Sequence, residues 1–267
     1  MILARLSMAV REQKWFAVLL EFFIVLLGVG FALAGDQYLS RLARQADLER
    51  LEPEISTSLF NIYRYSSERY AIRACRNQHL AELTDQLLGA EGMWDGDRWR
   101  RDRNSPFSVV WSDPSRPFVT PFWEAAANRG TLNVMDQVRR EEINYIFRSA
   151  ALIEQNQDKI LILHARLSLL SRNVELSREE RHQYYNVIAE IDGYERMIAL
   201  LTGDIFQSFR NPDLRFSLND EQREDLSRYF AGYTDSLVER YGECVTPMQV
   251  PGEVQETAEA DSLDNDP

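Results

Sequence analysis

Residues 15–34 read WFAVLLEFFIVLLGVGFALA, twenty residues of which only Glu21 carries a charge. At 1.5 Å of rise per residue such a helix is roughly 30 Å long, the thickness of a bilayer's hydrocarbon core. No later stretch is both as long and as free of charge. The pattern therefore predicts a stub over 1–14, one transmembrane helix over 15–35 and a large domain in water over 36–250.

Which side the domain faces is less clear from charge. The stub holds Arg5, Arg11 and Lys14 against Glu12, and residues 36–55 hold Arg41, Arg44 and Arg50 among five acids. Counted by Lys and Arg alone, the two flanks tie. A basic stub before a single apolar segment reads as a signal-anchor, with the amino terminus in the cytoplasm and the domain outside. The other reading is a removable signal peptide, since Ala32-Leu33-Ala34 before Gly35 fits a small-x-small cleavage site. The long apolar stretch and its internal acid favour the anchor, and both readings export the domain.

Glu21, Gly28, Ala32 and Gly35 are spaced by 7, 4 and 3 and fall on one helix face. Small residues let two helix backbones approach closely, so this face is a candidate seam for a second copy or another membrane protein. Ordinary membrane glycines with Glu21 near the headgroups would give the same pattern.

Beyond the span, apolar residues recur at helical spacing and no long run alternates with period two, which predicts an all-α domain. Leu39, Leu42, Ala43 and Ala46 extend the membrane helix into water until Pro53, expected to kink or restart it. A helix over 54–88 should bury Ile55, Leu59, Ile62, Tyr63, Tyr70, Ala74, Leu80, Leu83 and Leu87. A short helix over 121–129 ends at Gly130, and Asp136 caps a helix running to about 172. Ser177 to Glu180 reads as a capping box opening a helix to about 209, and Ser217 or Asn219 starts the last helix, which leads to Gly242. About four long helices predict an antiparallel bundle. Residues 251–267 hold six acids and no base or aromatic residue, the composition of a disordered tail.

The long loop over 89–119 is unusual for a compact domain and invites a binding role. Within it Trp94, Arg98, Trp99, Arg100, Arg101 and Arg103 offer aromatics and guanidinium groups to an anionic headgroup or glycan. A solvated loop whose arginines pair with its own aspartates, and whose tryptophans cap the bundle, explains the same residues. Cys75 and Cys244 are the only cysteines, and in an exported chain an even count favours a disulfide. Neither belongs to a CxxC or stands beside a histidine, so a redox or nucleophilic role is not indicated.

With 30 basic and 42 acidic residues the chain carries a formal charge of -12, which disfavours a nucleic-acid partner. His79, His164 and His182 make no HExxH or other dense ligand spacing, although a helical hairpin near residue 175 would bring His164 within about a turn of His182. Gly28-Val29-Gly30 begins like a dinucleotide fingerprint, but Leu33 stands where the third glycine belongs. No catalytic, metal or cofactor site is nominated.

Lys14-Trp15 before a span with Glu21 and a glycine-rich end, then Phe122-Trp123-Glu124-Ala125-Ala126-Ala127-Asn128-Arg129-Gly130-Thr131-Leu132 and Asp136, resemble a family of uncharacterised bacterial membrane-anchored proteins known as a domain of unknown function. The likeness covers residues 12–170. Members often follow the span with an Asn/Trp-rich stretch, where this chain has Gly35-Asp36-Gln37-Tyr38. The resemblance implies a single-pass inner-membrane protein with an extracytoplasmic helical domain and no activity. The residues themselves favour a non-enzymatic protein that binds a protein partner or itself. A periplasmic small-molecule sensor acting through a lateral membrane partner is the alternative, since a fourteen-residue stub cannot house an output domain.

Overall fold

The computed structural model describes residues 15–89, 92–99, 118, 121–211, 214, 220–248 and 250. The stub over 1–14, the loop over 100–117, Ser217, Asn219 and the acidic tail over 251–267 lie outside the described residues. Six α-helices are described: α1 (Trp15–Ala71), α2 (Arg73–Gly89), α3 (Pro121–Asn128), α4 (Gln137–Arg166), α5 (Arg178–Arg210) and α6 (Asp220–Tyr241). Among the described residues the strands are two residues long, β1 (Met93–Trp94) pairing antiparallel with β2 (Val174–Glu175). The chain is all-α, and it divides into two compact units, 1–52 with 125–135 and 53–124 with 136–267.

In the first unit α1 is exposed along nearly all of residues 15–50. It is the one described helix long and apolar enough to cross a membrane, and none of its most apolar window is buried. The segment at 125–135 contains the end of α3, where Gly130 takes a left-handed φ of 71° and a 3-10 turn follows at Thr131–Val134. A side chain at 130 would be strained there, which is why glycine ends this helix.

The helix does not restart at Pro53: α1 runs through it. Proline removes one N–H from the ladder. The Pro53 carbonyl accepts a further bond from the Thr57 hydroxyl at 2.8 Å.

The break comes instead at Ile72, between α1 and α2. There the Ala71 carbonyl accepts the Thr246 N–H at 2.8 Å, a bond to the far end of the chain. The interruption shifts the buried face. Ile55, Leu59, Ile62 and Tyr63 are buried before it, and Ile72, Cys75, Leu80, Leu83 and Leu87 after it. Tyr70, 45% exposed, and Ala74, also exposed, were expected inside and face outward.

α4 and α5 form an antiparallel hairpin, as shown by Tyr145 bonding Asp204 and Glu142 bonding Asn211 near one end. Asp136 caps α4 by accepting the Arg139 N–H at 3.1 Å, and α4 gives way at Arg166 to a 3-10 turn at Ser168–Ser171. Ser177 and Glu180 form the reciprocal capping box of α5. Isoleucines at 143, 146, 153 and 160 of α4 and at 188, 191, 198 and 205 of α5 fill the seam. Tyr63 of α1 packs edge-on against Phe206 and Phe209 of α5 and stacks with Phe230 of α6. Tyr194, Leu201, Tyr233 and Tyr241 are only half-buried, and Tyr229 is exposed.

Candidate functional site

Cys75 and Cys244 form a disulfide with their Cα atoms 5.0 Å apart. Around it Ala71, Ile72, Leu237 and Val245 pack as one apolar cluster. The bond joins the start of α2 to the residues just beyond Gly242, whose left-handed φ of 96° ends α6. Every described cysteine is thereby used, and the site has no thiol chemistry to offer in this state.

Next to Cys75 lies a feature that the sequence reading missed. Arg76 of α2 forms an ion pair with Glu195 of α5, and both side chains are almost fully buried. His164 of α4 lies close enough to Arg76 to feel its charge. Its pKa is lowered to about 4, first by burial and then by the Arg76 guanidinium, so the imidazole is neutral at physiological pH. Glu68, also buried, accepts the hydroxyl of Tyr233. The signal was in the spacing. Arg76 follows Ile72 and precedes Leu80, and Glu195 sits between Ile191 and Ile198, so each occupies a core position of its helix.

Beside this pair a cleft bordered by Arg69, Arg73, Arg76 and Thr202 holds about 20 Å³. That is room for about one water molecule. A groove of about 260 Å³ runs between Phe230, Thr234 and Met248. Ligand pockets are usually roughly 300–1,000 Å³ and enclosed, so neither void is a formed small-molecule site.

The loop residues have separate fates. Trp94 and Trp99 are 2% and 4% exposed and stack with centroids 6.0 Å apart. The Trp94 indole N–H donates to the Leu170 carbonyl at 2.7 Å, and that of Trp99 to Gln86 at 3.1 Å. Both rings are packed as core and do not face solvent. Arg98 is exposed, and Arg100, Arg101 and Arg103 lie outside the described residues.

The start of the loop is pinned to the α4–α5 turn. Arg181 donates to the Gly92 carbonyl at 2.6 Å, and Asn173 accepts the Gly96 N–H at 2.8 Å. A Cβ on Gly96 would stand 2.3 Å from backbone atoms of Arg172, so only glycine fits.

His79 is buried with its ring edge-on to Trp99, and His182 is exposed. Among the described residues no three His, Cys, Asp or Glu side chains converge as a metal site would require.

The remaining candidate is α1. Glu21, Gly28, Ala32 and Gly35 are all exposed, and a Cβ on Gly28 or Gly35 would meet nothing within 4 Å. No family model, curated protein or solved structure matches the chain.

Proposed function

We propose that this chain is a single-pass protein of a bacterial inner membrane, with its amino terminus in the cytoplasm and residues 36–250 in the periplasm. It acts there as a non-enzymatic interaction or scaffold protein. The observation that carries the reading is α1, whose apolar segment and the turns beyond it are exposed on nearly every residue. Lipid accounts for the first twenty residues of that surface. The Cys75–Cys244 bond supports export, because such bonds persist in oxidising compartments. The likeness to the membrane-anchored family of unknown function fits the same topology.

The small size of the voids around Arg76 and Phe230 gives the sensor alternative little support. Proteolysis of spheroplasts, followed by alkaline extraction of their membranes, tests the topology. The expected result is a protein retained in the membrane until protease reaches it from outside. Resistance to protease until the membrane is lysed would overturn it.

A further inference from the structure

We infer that residues 243–250 form a redox-latched strap. The Cys75–Cys244 bond holds the strap against α6 and the α1–α2 break, and reduction by a dithiol releases it while α4 and α5 stay folded. The residues involved all lie within one compact unit, so the inference goes beyond the membrane-anchored reading and does not depend on it.

The chain leaves α6 at Gly242, whose left-handed φ of 96° redirects it. Beyond that point the described residues 243–248 and 250 belong to no helix or strand. Val245 packs with Ala71, Ile72 and Leu237, and Val250 is also buried, while Glu243, Thr246 and Pro247 are exposed. The Thr246 N–H donates to the Ala71 carbonyl at 2.8 Å, and the Met248 N–H to the Thr234 hydroxyl at 3.4 Å. The side toward α6 is incompletely filled, since a groove of about 260 Å³ runs between Met248 and Phe230.

These contacts are few for a segment without regular structure. Ordering the backbone of one residue costs about as much as one hydrogen bond returns net. Two such bonds and two buried valines fall short of ordering the whole segment, so the strap's position depends on the covalent bond to Cys75.

The two sulfurs are not equally reachable. Cys75 is 4% exposed, whereas Cys244 is only half-buried. A thiolate of the dithiol therefore attacks Cys244 Sγ, forming a mixed disulfide as the protein's S–S bond breaks and Cys75 leaves as a thiolate that takes a proton from water. The second thiol of the reductant loses its proton and displaces the Cys244 sulfur, which is protonated in turn. The reductant ends as a disulfide, oxidised by two electrons, and the protein holds two thiols. Once released, the strap uncovers Ala71, Ile72 and Leu237, so the redox state of the pair controls the exposure of an apolar surface.

The test is hydrogen exchange on the full-length protein in detergent, before and after dithiothreitol, with free thiols counted to confirm reduction. Peptides covering 243–250 should exchange roughly tenfold faster or more after reduction, and peptides from residues 187–205 of α5 should change by less than about twofold. Oxidised Val245→Ala should speed exchange in the strap by less than about threefold, because the covalent bond remains. A disulfide that resists dithiothreitol in the folded protein, a reduced strap that stays protected, or α5 accelerating as much as the strap would overturn the inference. So would an oxidised Val245→Ala strap that exchanges as fast as the reduced wild type, since packing would then be the latch.

Discussion

Residues 15–50 and residues 55–87 are similar lengths of helix with opposite surroundings. The first is exposed on nearly every residue, and the second alternates buried and exposed faces around Ile55, Leu59, Leu80 and Leu83. Helix propensity does not explain the difference, since both stretches are helical although the first holds more leucine and alanine than the second. In the second, tertiary contacts hold the helix: the Cys75 disulfide, the Arg76–Glu195 pair and the aromatic packing of Tyr63. In the first, nearly every described position is exposed and no such packing is seen among the described residues. The two stretches should therefore answer mutation differently.

The largest effect should come from removing the disulfide. Cys75 and Cys244 are 169 residues apart, and the chain-entropy model gives such a loop up to about 5 kcal/mol. Urea unfolding of the Cys75→Ser/Cys244→Ser protein in detergent should show most of that loss, with membrane partition unchanged. Breaking the ion pair on one side comes next. Arg76→Met leaves Glu195 buried without its guanidinium and should cost about 3–5 kcal/mol, whereas Arg76→Met with Glu195→Leu should recover a large part.

Acid should weaken the domain that holds the second stretch without any mutation, through His164 of α4 beside Arg76. The folded pKa of His164, about 4, lies below its unfolded value of 6.5. Its contribution is therefore intact above pH 6.5 and is lost as pH falls toward 4, by up to about 3 kcal/mol. A urea midpoint that falls across this window in the wild type and is flatter in His164→Gln would confirm the sign.

Trp94→Phe keeps most of the ring packing but leaves the Leu170 carbonyl without its indole donor. A loss of about 1–2 kcal/mol in the same unfolding assay is expected. The smallest effect belongs to the exposed stretch. Leu42→Ala should move the domain's unfolding midpoint by less than about 0.5 kcal/mol. A larger loss would show that this part of α1 is held by the folded domain after all.

Much of this was legible in the sequence wherever a local rule decides the outcome. The apolar run of α1, the caps at Asp136 and Ser177 and the glycine stops at 130 and 242 each follow from neighbouring residues. The break at Ile72 was not legible, because its distinguishing bond comes from Thr246 at the other end of the chain. The pairing of β1 with β2 escaped because two residues cannot display a period of two. Composition alone cannot separate a presented tryptophan from a packed one, and for Trp94 and Trp99 the partners of the indole nitrogens decide it. The buried pair Arg76 and Glu195 was missed for a different reason. Charges at core spacing on two helices are visible in the sequence, but they become a pair only when the helices are placed together.

The most direct test of a membrane-anchored, oxidised, externally facing domain is thiol labelling of Cys75 and Cys244. It would be carried out on the full-length protein in intact cells and spheroplasts, with and without reductant. The account predicts a membrane-bound protein whose thiols are blocked until reduced and are then reached from outside the inner membrane. Free thiols that react only after that membrane is permeabilised would contradict it.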